Sequence, residues 1–188
     1  MRVSGWASTP NKDRIGDIIL PEAFVGAVFD FAERAHVREN HCKHCVVGRV
    51  LKMNVTPKGL YIEAHINEDA VEVRRAVREG KLHSFSVSIK TLKARRNRAT
   101  GTRIIEAVRL IEISLVDDPL CPGTELQLME ERGSSNPTLA TLNARIEVTS
   151  ESLPELRREV IVRELLKFAS QGRTAKEMLC FLNQLRAA

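Results

Sequence analysis

Apolar and polar positions alternate strictly along Leu60-Tyr61-Ile62-Glu63-Ala64-His65-Ile66. Such alternation predicts a strand with Leu60, Ile62, Ala64 and Ile66 toward a core and His65 outward. Residues 46–53 have a similar strand-like pattern, and the intervening Thr56-Pro57-Lys58-Gly59 is turn chemistry, so the two runs predict a β-hairpin. Residues 2–8 read as a further short strand, followed by a polar loop at 11–14. Pro21-Glu22 opens a helix, with Phe24, Ala27, Val28, Phe31 and Ala35 at helical spacing behind it. A second helix is expected over 69–79, stopped by Gly80. Strands follow at 84–92 and within 104–116, joined by a basic connector at 93–103 that reads as a solvated hairpin loop, with a docking surface for an acidic scaffold or peptide as the alternative.

After Pro119 the pattern changes. Arg132-Gly-Ser-Ser-Asn-Pro137 is the clearest linker in the chain. Beyond it, Ser152–Glu155 and Thr174–Glu177 have capping-box spacing and introduce two helical stretches, the second with Met178, Phe181, Leu182 and Leu185 on one face. The expected organisation is an α+β or mostly-β body over 1–130, a flexible linker over 131–151 and a helical hairpin over 152–188. The C-terminal stripes suit packing on the body, docking on a partner helix, or self-association.

Composition narrows the picture modestly. The chain has 188 residues, 43% of them hydrophobic but only 4% aromatic, so the core is aliphatic. A net charge of +5 falls short of a dedicated nucleic-acid footprint, and none is expected. No apolar run is long enough to span a membrane, and the first residues, MRVSGWASTPNKDR, lack the apolar core of a secretion signal. Cys42, Cys45, Cys121 and Cys180 are therefore expected to be reduced thiols.

Four blocks carry a resemblance. Gly5-Trp6-Ala7-Ser8 is followed by Asp13-Arg14-Ile15-Gly16-Asp17 and Leu20-Pro21-Glu22-Ala23-Phe24. His41 stands seven residues before Gly48-Arg49-Val50. Leu82-His83-Ser84-Phe85-Ser86-Val87-Ser88-Ile89 and Leu110-Ile111-Glu112-Ile113-Ser114-Leu115-Val116-Asp117-Asp118-Pro119 complete the set. In this order, over about residues 3–122, they resemble the prohead (capsid maturation) serine proteases of tailed phages. That family is distantly similar in fold to the herpesvirus assemblins, which implies a compact β-barrel flanked by helices. It also implies a serine endopeptidase that needs no cofactor or metal, with Ser86 as nucleophile and His41 as base. The implied substrates are the major capsid protein, its scaffold domain and this chain itself. The implied location is the host cytoplasm inside the prohead, or the cytoplasm of a cell carrying a prophage.

The residues leave alternatives at each position. Ser84 and Ser88 share a strand face with Ser86, so alternation does not choose among the three, and Ser88 stands where the family commonly has Gly. Glu112 is the expected third member, because a carboxylate beside the base fixes its tautomer and stabilises the imidazolium. Glu106 and His83 are the alternatives to it. Asp117-Asp118 follows where the herpesvirus enzymes carry arginines, which leaves the oxyanion donors unassigned. His41-Cys42-Lys43-His44-Cys45 also invites a zinc reading, but structural zinc usually takes two well-separated ligand pairs and no second pair exists in the chain. Two rival classes accompany the protease reading. One is a non-enzymatic capsid- or scaffold-binding protein on the same fold, and the other is a small zinc-binding interaction domain.

Overall fold

The computed structural model describes residues 1–129 and the two-residue strand Arg145–Ile146. The architecture is a mixed sheet with few helices. Its strands are β1 (Arg2–Ser8), β2 (Asp17–Ile19), β3 (His36–Glu39), β4 (Val46–Thr56), β5 (Gly59–Ile66), β6 (Ser84–Arg96), β7 (Arg103–Val116), β8 (Leu126–Met129) and β9 (Arg145–Ile146). The hydrogen-bonded order is β2-β7-β3-β4-β5-β1-β8, with β6 beside β7 and β9 beside β4.

The alternation of β5 is realised: Leu60, Ile62, Ala64 and Ile66 are fully buried, and β5 forms the expected hairpin with β4. Val3 and Ala7 of β1, Val50 and Met53 of β4, and Leu110, Ile113 and Leu115 of β7 extend this aliphatic core. Strand pairing is antiparallel except that β7 runs parallel to both β2 and β3, and β4 parallel to β9. A closed ladder is absent among the described residues. Between the β8 end of the path and β6 stand only the bridge Ser84–Glu125 and the backbone bonds Phe85 N–H to Thr124 O (2.8 Å) and Leu126 N–H to His83 O (2.9 Å).

Three local expectations are corrected. The helix expected from Pro21 breaks into a 3-10 turn, Pro21–Phe24, and a short helix α1, Ala27–Ala32. The break falls at Val25-Gly26, a β-branched residue beside the poorest helix former other than Pro. Phe24, Val28 and Phe31 are nonetheless all buried, so the apolar stripe survives the break. The chain then enters β3 through Ala35 at φ 40°, rather than continuing as helix. Finally, β6 and β7 form one long ribbon through Arg96 and Arg103, which shortens the basic connector to a tip at 97–102. Helix α2 (Val71–Arg78) stops at Gly80 as expected. The linker and the C-terminal helical hairpin expected from the sequence lie outside the described residues, apart from β9.

Candidate active site

The site forms where β3, the turn after it, β6 and β7 meet. Strand β3 lies parallel to β7 with Arg38 in register with Ser114. After Glu39 the chain turns sharply through Asn40 (φ 41°) and His41 (φ 57°), and Cys42 N–H closes the turn on Glu39 O at 2.8 Å. Two successive left-handed residues have the sign pattern of a type I′ turn, a conformation that Asn and His visit more readily than bulky or β-branched residues. Asn40 N–H also donates to Leu115 O at 2.8 Å, which anchors the turn on β7. His41 is thereby turned back over the sheet.

Its ring bridges two strands. His41 Nδ1 lies 2.5 Å from Glu112 Oε1 of β7, and Nε2 lies 3.1 Å from Ser86 Oγ of β6. With Glu112 ionised, Nδ1 carries the proton and donates to the carboxylate, so Nε2 is left to accept the Ser86 hydroxyl proton. Ser86 and Glu112 are nearly buried, whereas the His41 side chain is 42% exposed and open to an incoming group. Antiparallel pairing sets Ser86 opposite Ser114 and Ser88 opposite Glu112. The next pair is Ile89 with Leu110, which leaves Ile111 as an extra residue in β7. Such a bulge re-aims side chains beside it, and here it adjoins Glu112.

The carboxylate of Glu112 is held from three sides. Oε1 accepts from His41 and, at 3.3 Å, from Ser114 Oγ; Oε2 accepts from Arg38 Nη1 at 2.5 Å. Burial alone would push this carboxyl up. The hydrogen bond and charge of His41, together with those of Arg38, outweigh it and hold the group below its ordinary value. Nearby His36 is pushed down, first by burial and then by the charges of Arg38 and Arg34, against the pull of Glu112.

The alternative residues fall elsewhere. Ser84 is fully buried and its Oγ lies 2.9 Å from His83 Nδ1, away from His41. Ser88 is half-buried and opposite Glu112. Glu106 binds Lys93 (3.1 Å) and Arg95 (2.8 Å) on the exposed ribbon. Cys42 and Cys45 are joined by a disulfide in the turn after His41, which corrects the expectation of free thiols there. Their Cα atoms are 5.2 Å apart and Cys45 N–H donates to Cys42 O, so this second tight turn sets the two sulfurs together. Cys121 is a free thiol beside Thr9. Arg38 and Ser114 carried no sequence signal of a role. Ser114 reaches Glu112 from two residues along the same face of β7, whereas Arg38 is brought to it only by the β3–β7 pairing, which depends on long-range contacts.

Residues 2–138 match the family described as caudovirus prohead serine protease. The chain belongs to that family. It is 30% identical over 122 residues to the prohead protease of Escherichia phage T5, an alignment covering 63% of this chain and 58% of that protein. The chain therefore spans less than two thirds of this relative's length. Among solved structures, it is similar to the capsid assembly protease of bacteriophage T4, with 14% identity, a TM-score of 0.49, and coverage of 61% of this chain and 80% of that one. It is also similar to the KSHV protease in complex with a hexapeptide phosphonate inhibitor, with 12% identity, a TM-score of 0.46, and coverage of 66% and 63%.

Proposed function

We propose that this member of the prohead protease family is a serine endopeptidase in which Ser86 is the nucleophile, His41 the general base and Glu112 the residue that orients His41. The observation that carries the reading is the unbroken contact chain from Ser86 Oγ through both ring nitrogens of His41 to the Glu112 carboxylate. As His41 Nε2 takes the hydroxyl proton, the Ser86 oxygen bonds to the scissile carbonyl carbon. Collapse of the tetrahedral adduct breaks the C–N bond, and the proton on Nε2 passes to the leaving amine. Water then attacks the acyl-Ser86 ester with His41 again as base, releasing the acid and restoring the hydroxyl. Glu112 keeps Nδ1 protonated and balances the charge on the imidazolium in both halves of the cycle.

The substrates in this reading are the major capsid protein and its scaffold domain, met inside the prohead in the host cytoplasm, or in the cytoplasm of a lysogen. The catalytic unit is the body of residues 1–130. The bridge and hydrogen bonds between β8 and β6 support reading that body as a barrel with one weak seam. Among the described residues no helix is long and apolar enough to cross a membrane.

Co-expression with the capsid precursor tests the reading. Wild type trims the precursor, whereas Ser86→Ala leaves it intact with an unchanged circular dichroism spectrum. Precursor that is bound but uncut by wild type would instead support the non-enzymatic alternative.

A further inference from the structure

The catalytic reading uses one oxygen of Glu112 and leaves the other unexplained. A carboxylate this buried is costly unless its lone pairs are met. Oε1 is met by His41 and Ser114, and Oε2 by the Arg38 guanidinium at 2.5 Å. The Arg38 side chain is 17% exposed, and that of Glu112 6%, so little solvent intervenes. A charge-assisted bond in such surroundings is stronger and shorter than a neutral one, and it also fixes orientation.

The chain path makes the arrangement economical. Arg38 ends its reach on Glu112 from within β3, and His41 reaches the same carboxylate from the turn three residues later. Parallel pairing of Val37 with Ile113, Arg38 with Ser114 and Glu39 with Leu115 locks this short segment to the strand that bears Glu112. Strand and turn together thus grip the carboxylate at both oxygens, and rotation of its plane would break one bond or the other.

We propose that Arg38 is a positioning residue for the proteolytic reaction, acting through Glu112 to aim the carboxylate at His41. The proposal rests on the reading of Ser86, His41 and Glu112 as the catalytic group. Without Arg38, the Oε2 atom is left buried and unpaired. The carboxylate then rotates or takes up a proton, and His41 loses its fixed tautomer. Arg38 touches no reacting atom, so its loss appears in turnover rather than in substrate binding.

The test is a double-mutant cycle on cleavage of the capsid precursor, with kcat, KM and Tm measured for each protein. The variants are Arg38→Met, which keeps much of the aliphatic stem, Arg38→Lys, Glu112→Gln, and Arg38→Met with Glu112→Gln. Arg38→Met is expected to lower kcat about ten- to a hundredfold, the worth of one charged hydrogen bond, with KM little changed. Arg38→Lys recovers part of that loss, because it returns the charge without the planar fork. In the Glu112→Gln background the Arg38→Met substitution costs almost nothing further, since the partner through which it acts is gone. Equal losses in both backgrounds, or a fall in kcat that follows Tm alone across Arg38→Met and Arg38→Lys, would overturn the proposal while leaving the catalytic group standing. A Glu112→Gln variant with wild-type kcat would overturn both.

Discussion

Glu112 shows at the scale of one residue how environment decides a role. Glu106 and Glu112 lie on the same strand, yet Glu106 is bound by Lys93 and Arg95 on an exposed ribbon while Glu112 is buried against His41 and Arg38. The sequence favoured Glu112 by its position in a recognised block, but it could not exclude Glu106, because burial is a property of the packed sheet. The same holds for the serines. Alternation put Ser84, Ser86 and Ser88 on one face, and only the turn that carries His41 distinguishes Ser86 from its neighbours. The depressed carboxyl of Glu112 has a consequence for stability. Its folded value lies below its unfolded one, so its contribution is full above the ordinary carboxylate range and is lost as pH falls through the folded value. Glu112→Gln is therefore expected to lower Tm relative to wild type at pH 7, with the gap closing on acidification below the ordinary glutamate range. Thermal melts of both proteins across that range check this, and a gap that widens in acid would contradict it.

Elements were legible in proportion to how far local pattern determined them. β5 could be read residue by residue because one face of it is buried and the other is not. β3 could not: of His36-Val-Arg-Glu39 only Val37 is apolar, and the strand exists because β4 and β7 pair with it on either side. The same long-range pairing hides the parallel contacts of β2. One glycine marks how tightly β4 and β5 approach. A Cβ on Gly48 would sit 2.2 Å from the carbonyl oxygen of His65, a backbone atom that cannot swing aside. Gly80 is left-handed at φ 71° but faces open space. Gly48→Ala is accordingly expected to destabilise by about 1–3 kcal/mol or more through overpacking, whereas Gly80→Ala costs about 1–2 kcal/mol of backbone strain alone. Chemical denaturation separates them, and a larger loss for Gly80→Ala would contradict the β4–β5 packing described.

For the whole molecule, the order of motif blocks was more informative than any one of them. The sheet brings His41, Ser86 and Glu112 together from positions up to 71 residues apart in sequence, a convergence that no local period encodes. The approach of β8 to β6 was likewise beyond local pattern, since among the described residues it consists of a bridge and two hydrogen bonds near Thr124–Leu126 rather than a closed ladder. Every proposed catalytic residue precedes the linker expected from the sequence at 131–151, which leads to an expectation for the chain. A protein of residues 1–130 should still cleave the capsid precursor, and wild type should cut itself between about residues 130 and 151. Mass spectrometry after long incubation reads both, beside Ser86→Ala as control. Cuts inside the body, or identical cuts in Ser86→Ala, would contradict the proposed division of the chain.

The central claim, that Ser86 is activated by His41, is tested most directly by covalent labelling. A peptidyl phosphonate reacts only with a serine whose hydroxyl is made nucleophilic by a neighbouring base. Wild-type protein treated with such a reagent is digested, and the modified residue is located by tandem mass spectrometry. The account predicts a single adduct on Ser86, absent from Ser86→Ala and strongly slowed in His41→Ala. An adduct on Ser84 or Ser88, or capsid-precursor cleavage that persists in Ser86→Ala, would contradict it.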